Sequence, residues 1–116
     1  MADMKISEMM KMQLDLYEMH KDKWSPMEPQ YGRNSLLWLI EELGETIAIV
    51  KKKGEELIMN DDEVRAHFVE ELSDVLMYYT DVLLRYGITS EEITNAYIKK
   101  HNTNKERNYN KEYIKK

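Results

Sequence analysis

Leu39-Ile40-Glu41-Glu42-Leu43-Gly44-Glu45 and, after a spacer, Glu70-Glu71-Leu72-Ser73-Asp74-Val75-Leu76 are the stretches that decide the fold. Both sit in segments whose apolar residues recur at helical spacing. Residues three and four apart share one face of a helix. Glu42 and Glu45 therefore project together, with Glu41 alongside Glu45, and Glu71 and Asp74 project together from a second helix. Each pair lies in a stripe with large side chains: Trp38, Glu42, Glu45 and Ile49 on the first helix, His67, Glu71, Asp74 and Tyr78 on the second. A solvated face would be charged throughout, whereas Trp, Ile and Tyr prefer burial, so these acids are expected to face a cleft. A purely apolar stripe on each helix is expected to make the core: Leu36, Leu39, Ile40, Leu43, Ile47 and Val50, opposite Val64, Phe68, Leu72, Val75, Tyr79, Val82 and Tyr86.

Four carboxylates in one cleft repel. At ~4 Å and an effective dielectric of ~20, each like pair costs roughly 4 kcal/mol before protonation relieves it. Such a site wants a cation, and all-oxygen ligation without Cys or His favours a hard ion, Mg²⁺ or Mn²⁺. One Glu-x-x-Glu alone reads as solvated charge. Two acidic pairs, each on an apolar-flanked stripe, read as a site.

The chain has 116 residues, enough for one domain with a modest core. Helices this amphipathic in so short a chain leave apolar surface over, so an oligomer is expected. Charged residues make up 34% and Gly and Pro are few, which suits a helical protein. A net charge of -5 argues against a nucleic-acid backbone as the main partner. With no cysteine there is neither a disulfide framework nor a thiolate metal site. No apolar run is long enough to span a membrane, and Met1-Ala2-Asp3-Met4-Lys5 lacks a signal-peptide core. A cytoplasmic location is expected.

In chain order, residues 5–22 read as a first helix on Ile6, Met10, Leu14 and Tyr17, with Ser7 as N-cap. Most of the nine methionines fall in the first 20 residues, and two uses stand: an adaptable core or subunit interface, or a base-binding wall. Pro26, Pro29 and Gly32 punctuate a loop over residues 23–34, which also carries Trp24, Tyr31 and Arg33. A second helix is expected from about 35 to 53, closed by Lys51, Lys52, Lys53 and Gly54. Those lysines fit ordinary termination chemistry; a phosphate contact is the alternative. Residues 54–61 read as a connection and Asn60 with Glu63 as an N-cap for a third helix over about 62–86, stopped by Gly87. Thr89 and Glu92 form a capping box for a fourth helix. Its stripe of Ile93, Tyr97, Lys100, Asn104 and Arg107 turns from apolar to basic along its length, and residues 108–116 are expected to be mobile.

Glu-Glu-x-x-Glu, a spacer and Glu-x-x-Asp together resemble the signature of MazG-like nucleoside triphosphate pyrophosphohydrolases, of the all-α NTP pyrophosphatase superfamily that includes dCTP pyrophosphatases and dimeric dUTPases. The resemblance covers about Trp24 to Tyr109. It implies an all-α, antiparallel four-helix bundle core in a homodimer or homotetramer, a single domain over residues 1–116, and hydrolysis of a nucleoside triphosphate to monophosphate and pyrophosphate in nucleotide-pool house-cleaning. By the same resemblance Glu42, Glu45, Glu71 and Asp74 hold Mg²⁺, with Mn²⁺ the alternative. Glu41 or Glu45 takes the proton of the attacking water, and Glu41, which is not itself a ligand, is the residue of choice. Lys100, Asn104 and Arg107 contact substrate phosphates. The segment before the first acidic helix helps form the base pocket, which gives Trp24 a substrate-binding role beside its plain reading as a hydrophobic plug.

A di-iron carboxylate bundle needs Glu-x-x-His pairs, and none occurs here. The contrasting class is a non-enzymatic helical interaction module, which would need no Mg²⁺ and hydrolyse no nucleotide.

Overall fold

A computed structural model describes residues 3–107; the expectation for residues 108–116 lies outside them. The fold is all-α: α1 (Ile6–His20), a 3-10 turn (Pro29–Tyr31), α2 (Gly32–Asn60), α3 (Asp62–Arg85) and α4 (Ser90–Glu106). Among the described residues there is no strand. α1 begins earlier than Ser7 would allow, with Lys5 at the N-cap and its backbone N–H donating to Glu8 at 2.9 Å.

The largest departure from the expected boundaries is in α2. Gly54 has φ +81, outside the helical region, so the rod is interrupted where the sequence stops it. The residues beyond Gly54 then resume helical turns instead of forming a loop. Asp61, not Asn60, caps α3: its side chain accepts from the Val64 N–H at 3.0 Å. α3 ends in a left-handed glycine, Gly87 at φ +65, with the Ile88 N–H bonded back to the Leu83 carbonyl at 2.8 Å. The Thr89–Glu92 capping box is present.

α2 and α3 are joined through Asp61 alone and run antiparallel, as their partner pairs require: Ser35 meets Asp81, Trp38 meets Tyr78 and Glu42 meets Glu71. This hairpin carries most of the tertiary packing; α1 lies against α3, and α4 packs chiefly on α1.

The helices meet through a face other than the one the apolar pattern suggested. Ser35, Thr46 and Ile49 are buried on α2, and Thr80, Asp81, Leu83 and Arg85 on α3. Only part of the stripe expected to make the core is covered: Leu39, Val50, Val64, Phe68, Val75 and Val82 are half-buried, while Ile40 is 62% exposed and Ile47 54%, with Leu36, Leu43, Leu72, Tyr79 and Tyr86 also exposed. An apolar stripe states that a face seeks cover, not which surface supplies it. Within one chain, the acidic face with its Trp, Ile and Tyr neighbours takes the seam between α2 and α3, and the outer part of the apolar stripes is left over.

Candidate functional site

The seam brings three of the expected acids to one point. One carboxylate oxygen from each of Glu42, Glu45 and Glu71 lies within 4.8 Å of the others. Glu42 Oε2 and Glu71 Oε2 are buried with no hydrogen-bond partner among the described residues. Glu71 Oε1 is 3.4 Å from His67 Nε2. Burial first, then the closeness and charge of the Glu45 carboxylate, the charge of Asp74 and the closeness of the Glu71 carboxylate raise the Glu42 pKa to about 7. Asp74 is therefore in electrostatic reach of the cluster, though not one of the three that converge. The phenol of Tyr78 is pushed up by its own burial and by the charges of Glu42, Asp74, Asp81 and Glu41. Glu41 is exposed on the adjoining surface of α2.

Two buried carboxylate oxygens without a donor are costly in a folded protein. A proton on Glu42 relieves part of that cost; a hard divalent cation would relieve all of it. The donor set, all oxygen and from two helices, fits such an ion.

A cavity opens on either side of the cluster. Towards the start of α2 lies one of about 600 Å³, lined by Trp24, Asn34, Trp38, Asp74, Tyr78, Asp81 and Arg85 with Gln13, Leu16, Lys23, Ser25 and Met77. Towards the α2–α3 turn lies one of about 520 Å³, lined by Glu45, Glu71, Lys52, Lys53, Glu63 and His67 with Ala48, Ile49 and Val64. Both fall in the size range of small-molecule sites. The first is aromatic: Trp38 and Tyr78 rings are 6.0 Å apart, and Trp24 stacks on His20 at 5.2 Å. The second carries lysines beside the acids.

Of the phosphate-contacting residues expected from α4, none lines either cavity. Lys100 is exposed and Asn104 half-buried, its Oδ1 inaccessible and without a partner among the described residues. Sequence reasoning also missed Asp81 and Arg85, both 3% exposed in the seam. Arg85 Nε donates to Asp81 Oδ2 at 2.7 Å, and Ser35 Oγ donates to the same oxygen at 2.5 Å. Arg85 Nη1 reaches the Ser25 carbonyl (3.1 Å), Ser25 Oγ (3.0 Å) and the Pro26 carbonyl (2.7 Å), which fixes the loop behind Trp24. The signal was available, because the Glu71, Asp74, Tyr78 stripe continues at helical spacing to Asp81 and Arg85.

Acids converging from two antiparallel helices in an all-α chain are consistent with the MazG-like resemblance carried by the two acidic motifs. Residues 39–115 match the family model of the dATP/dGTP pyrophosphohydrolases, and the chain belongs to that family. It is thus a hydrolase acting on nucleoside triphosphates. No curated protein and no solved structure matches the chain.

Proposed function

We propose that the protein hydrolyses purine deoxynucleoside triphosphates to the monophosphate and pyrophosphate in a divalent-metal-dependent reaction, as a house-cleaning enzyme of the nucleotide pool. The observation that carries this reading is the convergence of Glu42, Glu45 and Glu71, with two orphaned oxygens, between an aromatic and a basic cavity. Glu42, Glu45 and Glu71, with Asp74 beside them, would hold Mg²⁺ or Mn²⁺. Bound there, the ion supplies charge neutralisation at the phosphate oxygens and a more acidic water.

The chain's own residues do the rest. Trp24 and Trp38 give the nucleobase a stacking wall in the larger cavity. The phosphate chain then crosses the acids, and its far end lies toward Lys52 and Lys53, whose cations favour the leaving pyrophosphate. Glu41 takes one proton from the attacking water as its oxygen bonds to phosphorus. The bridging P–O bond between the α and β phosphoryl groups breaks, and its electron pair leaves with pyrophosphate.

The exposed stripes Leu36–Ile40–Leu43–Ile47 on α2 and Val69–Leu72–Leu76–Tyr79 on α3 support a homodimer or homotetramer in which they meet as an antiparallel bundle. In that assembly Lys100, Asn104 and Arg107 of one protomer steady the phosphate chain bound by its partner. A panel of deoxynucleoside triphosphates, incubated with Mg²⁺ or EDTA and resolved by chromatography, tests the reading. Monophosphate and pyrophosphate with Mg²⁺ alone are expected. A diphosphate with orthophosphate overturns the mechanism, and inertness with Mg²⁺ and, in a repeat, with Mn²⁺ leaves a non-catalytic helical module.

A further inference from the structure

We infer that His67 is a positioning residue for the metal site: its imidazole Nε2–H holds one oxygen of Glu71, so that the other stays turned to the ion. The inference rests on the proposed metal-dependent reading but makes a separate claim, about what orients one of the ligands.

Glu71 is the acid that α3 sends into the cluster, where it meets Glu42 and Glu45 from α2. Its two oxygens have different surroundings. Oε2 is buried without a hydrogen-bond partner among the described residues, and the carboxyl group lies close to that of Glu42. Oε1 is 3.4 Å from His67 Nε2, a contact that the i, i+4 spacing on one helix provides. The Glu71 side chain is 15% exposed and that of His67 60%. The acid is thus largely enclosed, and the ring that meets it is free to turn. The separation is a few tenths of an ångström beyond a direct N–H···O bond, a gap that a small turn of the ring closes. Both the imidazolium and the neutral ring with its proton on Nε2 can donate there, so the role does not depend on the charge of the ring.

Without that donor, Glu71 has reasons to leave the cluster. The carboxylates of Glu42 and Glu45 repel it. The smaller cavity, which Glu71 lines together with Lys52 and Lys53, offers it cations to move towards. A carboxylate that spends part of its time on a lysine is lost to the ion for that time. Partners behind a ligating side chain fix its orientation, and removing one typically costs about 10–100-fold in metal affinity.

The test is Mn²⁺ binding by the full-length protein without nucleotide, followed by the electron paramagnetic resonance of the free ion. His67→Ala is expected to weaken binding by about tenfold or more, with helix content in EDTA unchanged. His67→Gln carries an amide N–H as many bonds from the backbone as Nε2, and is expected to restore most of the loss. An amide nitrogen is no metal ligand, so that recovery assigns donation rather than ligation. Should His67→Ala fail to fold, His67→Leu, which fills the space without a donor, takes its place. Wild-type affinity in the variant without a donor, an equal loss in His67→Gln, or no Mn²⁺ binding by the wild type overturns the assignment. A raised KM for nucleotide with unchanged Mn²⁺ affinity also overturns it, and makes His67 a phosphate contact. Mn²⁺ binding that depends on His67, with no nucleotide hydrolysed, would break the proposed activity and leave this inference standing; hydrolysis with Mn²⁺ binding indifferent to His67 would do the reverse.

Discussion

The seam between α2 and α3 buries acids in two places, and the chain treats them oppositely. Asp81 is supplied with a cation: Arg85, one helical turn on, contacts it at 2.7 Å, and Ser35 adds a hydroxyl from the facing helix. Two turns of helix away, Glu42, Glu45 and Glu71 converge with no Lys or Arg in salt-bridge contact among the described residues, and two of their oxygens have no donor. Both arrangements lie along the seam of the same two helices. The difference teaches that burial of acids is not by itself the mark of a site. The mark is burial of acids for which the chain provides no positive charge, so that a cation from outside completes the structure.

The comparison breaks first, and hardest, at Arg85. Arg85→Ala leaves Asp81 buried without its cation and frees the Ser25–Pro26 loop. Breaking a buried pair from one side costs about 3–5 kcal/mol, so a marked fall in the urea midpoint is expected. A change within about 0.5 kcal/mol, the range of ordinary surface substitutions, would show that the pair is ornamental.

Glu71→Gln acts on the other half. It removes a charge from the cluster while keeping the shape, so hydrolysis is expected to fall by about 100-fold or more, with the fold retained by circular dichroism. Turnover within a few-fold of wild type would remove Glu71 from the metal site. A smaller effect is expected at the basic cavity: the double change Lys52→Ala with Lys53→Ala should raise KM by about tenfold and leave the metal dependence of turnover unchanged. If KM does not move, the lysines serve only to close the helix before Gly54.

The smallest effect is one of pH, read in EDTA. Glu42 has its pKa raised from 4.5 to about 7 in the folded protein. Below the unfolded value the carboxyl is protonated in both states and costs nothing. As pH rises, the unfolded chain releases its proton first, so stability is lost progressively until the folded group has ionised near pH 7. Metal-free wild type should therefore melt higher at pH 5 than at pH 8. Glu42→Gln should flatten that difference, melting above wild type by roughly 2–5 °C at pH 8 and level with it at pH 5. A variant that melts lower at both values would identify Glu42 as an acid with a satisfied structural partner.

The helices, the capping box at Thr89 and the pairing of Glu42 with Glu45 were legible because each depends on spacing along one helix; that Glu71 meets them from α3 followed only from the matching stripe on the second helix. The face on which the helices pack was not legible. Leu36, Ile40, Leu43 and Ile47 looked like core, yet in one chain they are exposed, since periodicity specifies a face and not its neighbour. The seam instead closes over Ser35, Thr46, Asp81 and Arg85, residues whose composition suggested surface. Gly54 shows an intermediate case. Its left-handed φ ends the first rod of α2 as expected, but nothing in Glu55-Glu56-Leu57-Ile58-Met59-Asn60 discourages helix, and helical turns resume. Trp24 was legible as an aromatic in a loop; that it stands over a cavity depends on Arg85, far along the chain.

That last connection bears on the order in which the molecule is made. The acid cluster belongs to a hairpin whose strands of helix are joined by a single residue, so it can form as a local event. The Arg85 bonds to Ser25 and Pro26 span 60 and 59 residues. Contacts of such separation carry a loop-closure entropy that must be met before they contribute, and they form late. The acid cluster and the part of the larger cavity's wall supplied by residues 13–25 are thus expected to behave as separate cooperative units. The wall can open at a lower free energy than the hairpin, and amide exchange over residues 23–31 should report that opening while the amides around Glu42 and Glu71 stay protected. A chain built this way can change the part of the larger cavity's wall that residues 13–25 supply without disturbing the helix pair that holds the acids.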